Sequence, residues 1–83
     1  MIMKIDLYFS GTGNDILAKY AAELMGVDYD SDGLNTFVIS GISVVDIPRE
    51  VFKKRFLINP KMIMEARDAK TGNPVSLLGA YHA

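Results

Sequence analysis

Met3, Ile5, Leu7 and Phe9 alternate with Lys4, Asp6 and Tyr8, the period-two pattern of a strand with one buried and one wetter face. After Ser10-Gly11-Thr12-Gly13 the period changes. Ile16, Leu17, Tyr20, Ala21, Leu24 and Met25 recur at helical spacing and leave Asp15, Lys19 and Glu23 outside. Thr12 with Asp15 three positions on predicts a capping box, with Asp in the usual Glu place. Gly26 supplies a left-handed stop, and Asp15 to Lys19 is an i, i+4 pair of favourable order.

Val27 to Asn35 reads as an acidic, turn-rich loop. Thr36 to Ile47 is dense in β-branched residues and broken by Ser40-Gly41, so it is either two short strands or one long strand bulged at the glycine. Pro48 fits the first turn of a short helix whose apolar stripe is Val51, Phe52 and Phe56, reaching about Leu57 and stopped by Asn59-Pro60. Met62, Met64 and Ala66 then alternate with Lys61, Glu65 and Arg67, while Ile63 falls on the polar side. The turn AKTGNP followed by VSLLGAY reads as a C-terminal hairpin.

Polar alternate residues in the first strand argue for a sheet with one wet face, which a doubly covered parallel sheet does not have. The expected fold is therefore α+β: a two-layer sandwich with both helices on one face of a mostly antiparallel sheet, a ferredoxin-like βαββαβ core with an extra C-terminal strand. Eighty-three residues make one domain, near the lower limit for a self-sufficient core without disulfides or metal.

With 49% apolar residues the chain is a packed globule, and with no cysteine it has neither disulfides nor thiolate chemistry, which fits a cytoplasmic setting. The N-terminal segment lacks the features of a signal peptide, and no window reaches the roughly 18 apolar residues of a membrane span. Charge is segregated. Residues 1–46 carry two cations against seven carboxylates, for −5, whereas residues 47–83 carry seven against three, for +4.

Ser10, Thr12, Gly13 and Asn14 lie between a strand and a helix in YFSGTGNDILAKYAAEL. This segment, Tyr8 to Leu24, resembles the first strand, phosphate loop and first helix of the flavodoxin family, whose loop has a Ser/Thr-x-Thr-Gly-Asn core. The resemblance implies that these four residues bind the phosphate of FMN or another phosphorylated nucleotide at the helix N-terminus. It covers only this segment, because the chain is too short for a five-stranded doubly wound sheet. The alternative is a tight glycine turn in which Thr12 caps the helix and no ligand is held.

Asp28, Asp30 and Asp32, with Gly33, match the first half of a calcium loop, but Ile39 stands where the bidentate Glu belongs. A solvated acidic turn is the competing reading. Arg49, Lys53, Lys54 and Arg55 form a basic edge on the second helix. A basic but merely solvated helix face is one reading; as a functional surface, without an aromatic stacking signature, the edge suits an acidic protein surface better than nucleic acid.

No catalytic residue is assigned. His82 is penultimate, and Ser10 and Ser40 read as turn serines. The methionines read first as core filling, with Met62 and Met64 as the alternative candidates for an adaptable partner surface; Tyr8, Tyr29 and Tyr81 are candidate contact residues for a partner. The expectation is a small non-enzymatic module that docks on a larger protein or assembly, the profile of phage-type inhibitors and regulators. A nucleotide-binding or nucleotide-sequestering protein is the alternative, and a self-assembling component, hence a homo-oligomer, is the second.

Overall fold

A computed structural model describes residues 3–77. The first strand, β1 (Lys4–Ser10), buries Ile5, Leu7 and Phe9 completely and turns its polar alternates to the other face, as the period-two pattern requires. It leads through the glycine loop into α1 (Asn14–Met25), followed by β2 (Asp30–Ser31), β3 (Thr36–Ser43), a single 3-10 turn at Val44–Asp46, α2 (Arg49–Ile58), β4 (Ile63–Asp68) and β5 (Pro74–Val75).

The sheet order is β2-β3-β1-β4-β5 with every adjacent pair antiparallel. That is the ferredoxin-like βαββαβ arrangement with one added strand, and the α+β two-layer expectation holds. Helix α1 packs on β3, β1 and α2. Leu17, Ala18, Ala21, Val51 and Phe52 meet the sheet's buried residues in one core, closed by Met62 and Met64. The two methionines are thus core filling and are not available to a partner.

Several local expectations change. Of the two forms expected for the segment 36–47, the structure shows the single strand, bulged where Gly41 takes φ +68 and the register with β1 slips between Ile5 and Leu7. The Gly41 N–H donates to Asp6 Oδ1 at 3.0 Å, so the carboxylate in the middle of a central strand satisfies the bulge opposite it. The second strand of the core lies instead in the acidic loop. It is only two residues long, too short for alternation to reveal.

Helix α1 is rotated from the predicted stripe. Ile16 and Leu24 are about half exposed (53% and 46%), while Ala18 and Ala22 face the core; their small side chains let the helix lie close on the sheet. Phe56, expected in the core, is 53% exposed. Pro48 is the N-cap of α2, one position before the first turn.

Gly26 ends α1 as expected, with φ +67 and the Val27 N–H donating to the Ala22 carbonyl at 3.0 Å. The capping box does not form: Gly13, at φ +88, occupies the N-cap without a side-chain bond, and Asn14 Oδ1 accepts the Asp15 N–H at 2.8 Å instead. With Gly13 in the left-handed region, the carboxamide one residue later is the group that folds back on the first turn. Asp15 and Lys19 do not pair; among the described residues the ion pair is Glu65 with Arg67, at 3.4 Å. The C-terminal hairpin is present through β5, but the rest of its predicted last strand, with Tyr81 and His82, lies outside the described residues.

A Cβ at position 13 would collide with Ile58 Cγ2 as well as straining the positive φ, whereas Gly26 faces open space. Gly13→Ala should therefore lower stability by about 2–4 kcal/mol and Gly26→Ala by only about 1 kcal/mol in urea melts. Equal losses would show that close packing against α2 does not select the first glycine.

Candidate functional site

The four basic residues of α2 separate into two pairs with different work. Lys54 places its ammonium 5.3 Å from the Tyr20 ring centroid on α1, a cation–π contact that ties the helices together. Arg55 donates from Nε to the Met62 carbonyl at 2.8 Å and from a terminal nitrogen to the Pro60 carbonyl at 3.4 Å. It thereby fixes the path from α2 into β4. Both side chains are half-buried and engaged within the fold.

Arg49 and Lys53 are exposed. One helical turn apart, they share a face with Phe52 and Phe56, which have the same spacing, and these four line a cavity of about 220 Å3. Leu57, on the adjoining position, is 83% exposed. The outer face of α2 is therefore a ridge both cationic and apolar. Sequence reasoning found its charges but missed its apolar half, because Phe56 was assigned to the core. The signal was present in two interleaved i, i+4 pairs.

The glycine loop is tied into the fold from several sides. Ser10 ends β1 opposite Thr36 and Ile63. The Asn14 amide donates to the Asn35 carbonyl, and Asn59 Nδ2 donates to the Thr12 carbonyl at 3.3 Å. Gly11, with φ +98, lies 3.6 Å from the Met62 Cα by the position a Cβ would take. Gly11, Thr12, Asn14 and Asn35 border an open recess of about 450 Å3. The structure thus keeps Thr12, Gly13 and Asn14 together, with Ser10 at the strand end below them.

The acidic turn does not gather its carboxylates. Asp32 Oδ1 accepts the N–H groups of Leu34 at 2.8 Å and Thr36 at 3.1 Å, an Asx turn that closes the β2–β3 hairpin. Among the described residues no three carboxylate or imidazole side chains stand close enough to hold a metal ion. Asp28 and Asp30 are exposed and, with Glu23, line a groove of about 600 Å3 at the end of α1, where Lys19, Val27 and Tyr29 are also part of the wall.

On the uncovered face of the sheet, Arg67 lies 4.8 Å over the Tyr8 ring, so that ring face is already occupied. Tyr29 sets its edge against Phe37 at 5.7 Å. Ser40 is in the bulge, far from any assigned role. Among the described residues no helix is long and apolar enough to cross a membrane. No protein-family model, curated protein or solved structure matches the chain.

Two outcomes follow from this division of labour. Arg55→Ala should destabilise the fold by about 1–3 kcal/mol, because it leaves a half-buried carbonyl without its charged donor, while Lys53→Ala should stay within about 0.5 kcal/mol in the same melts. The backbone N–H groups of Leu34 and Thr36 hold the Asp32 carboxyl below its ordinary value. Its contribution is thus present above the unfolded-state value, near 4, and is lost as pH falls through the lower folded value. Asp32→Asn should flatten the acid side of a melting-temperature profile below about pH 4; an unchanged profile would remove the turn from the chain's acid sensitivity.

Proposed function

We propose that this chain is a non-enzymatic binding module that docks on an acidic surface of a larger protein through the outer face of α2. One observation carries the reading: Arg49 and Lys53 flank the half-exposed Phe56 on a helix whose other two cations are used internally. A merely solvating helix face has no need of Phe56 and Leu57. Burying an exposed aromatic or leucine contributes roughly 1.5–3 kcal/mol, and flanking cations add orientation and encounter rate against a carboxylate-lined pocket.

The module acts by occupancy, covering a partner's surface as an inhibitor or regulator does. The absence of cysteine makes the reducing cytoplasm its natural place of action. The glycine loop is the weaker candidate, for a phosphorylated ligand such as FMN. Gly13 and Asn14 already have uses in the packing of α1, and Asp15 puts a carboxylate in the first turn, where an anion would be repelled.

The test is quantitative affinity capture from cells at low salt with three baits: wild type, Arg49→Glu with Lys53→Glu, and Lys70→Glu as a control of charge reversal outside α2, on the exposed β4–β5 turn. Proteins that bind through α2 should fall by about tenfold or more with the α2 variant and persist with the control. Equal recovery by all three baits would remove α2 from the interface.

A further inference from the structure

The groove beside α1 is the counterpart of the α2 ridge in both charge and polarity. Glu23, Asp28 and Asp30 stand against the single ammonium of Lys19, and Val27 and Tyr29 are each 38% exposed between them. The ridge offers the reverse: two cations, Arg49 and Lys53, around exposed Phe56 and Leu57.

The two surfaces lie apart in one molecule. The groove runs from Lys19 and Glu23 of α1 to Asp28 and Asp30 at the edge strand β2, while Tyr20 of α1 lies under Lys54 of α2. The groove thus opens at the β2 edge, on a different flank of α1 from the one that Tyr20 presents to α2.

We infer that a second copy of this chain is a partner of the ridge: α2 of one molecule seats in the Glu23–Asp28–Asp30 groove of the next. The inference rests on the reading of α2 as a docking face and names one occupant for it. Because the joined surfaces are different, the contact is head-to-tail and leaves a free ridge at one end of any dimer and a free groove at the other. Such contacts extend into rings or filaments and do not close as a twofold pair. The chain exposes 5298 Å2 over its described residues, and an interface using about a tenth of that on each side belongs to the weak, exchanging class. Association should be visible at high protein concentration and weaken several-fold with added salt.

The experiment is sedimentation velocity on the full chain from about 10 µM to about 1 mM, using wild type, a ridge variant (Arg49→Glu with Lys53→Glu) and a groove variant (Glu23→Lys with Asp28→Lys). Wild type should show a sedimentation coefficient that rises with concentration and falls with salt. Each variant alone should remain monomeric. An equimolar mixture should recover association, since the native ridge of the groove variant meets the native groove of the ridge variant, and the reversed ridge (Glu) meets the reversed groove (Lys) with complementary charge. That recovery also shows that both variants are folded.

Monomeric wild type throughout overturns the inference, as does a mixture that stays monomeric or variants that self-associate as wild type does. If wild type is monomeric while the α2 reversal still abolishes capture of cellular proteins, self-docking falls and the docking face stands. If wild type associates and the α2 reversal alters neither association nor capture, both readings fall.

Discussion

The start of α1 and the end of α2 meet with almost no space between them, and the placement of both helices depends on that contact. Gly13 lies where any side chain would strike Ile58, with Met62 beneath it. Around this point Asn59 holds the Thr12 carbonyl, Arg55 holds the Met62 carbonyl and Asn14 holds the Asn35 carbonyl. Polar side chains of α1, α2 and the α2–β4 connection are spent on backbone oxygens around this one point. With α2 fixed by its last turn, its buried side is settled. The face carrying Arg49, Lys53 and Phe56 is then the only one left to point outward.

That arrangement explains how a small chain can give up apolar residues to its surface. The core is closed with modest side chains, Ala18, Ala21, Ala22 and Ala66 among them, so that α1 lies close to the sheet. Close packing recovers through contact what the small residues lack in area. Phe56 and Leu57 are then not needed to fill the interior. Part of the segregation of charge along the sequence is kept in space: Glu23, Asp28 and Asp30 of the first half line the flank of α1 near β2, and two cations of the second half stand on the outer side of α2.

The elements with strong periodicity were legible from the residues alone. The alternation in β1 and β4, the helical spacing of α1, the stop at Gly26 and the one-wet-face argument together led to the correct α+β order. What escaped has physical causes. Two-residue β2 is defined by an Asx turn at Asp32 and by pairing to β3, neither of which leaves a periodic trace. The N-cap of α1 is Gly13 in a left-handed backbone, with the Asn14 carboxamide taking the Asp15 N–H, a conformation that the Thr12–Asp15 spacing does not announce. Phe56 was placed inside because aromatic residues at helical spacing usually are, and only the position of α2 shows otherwise. For the same reason, the four basic residues of α2 read as one patch although two of them serve the fold. The glycine loop read as a phosphate cradle because the residues that make a strand turn sharply into a helix are the same ones that let an anion approach.

The bulge at Gly41 has an effect beyond local geometry. β2 pairs only with Phe37 and Val38, so the rest of the outer margin of β3 has no neighbouring strand among the described residues. A flat, regular margin of that kind is a template for runaway strand-on-strand stacking into fibrils. The extra residue at Ser40–Gly41, locked by Asp6, breaks the spacing of donors and acceptors that an incoming strand would have to match. Asp6 therefore acts as a safeguard of solubility: it helps a chain that exposes apolar side chains on a helix to avoid sticking to its own kind through the sheet.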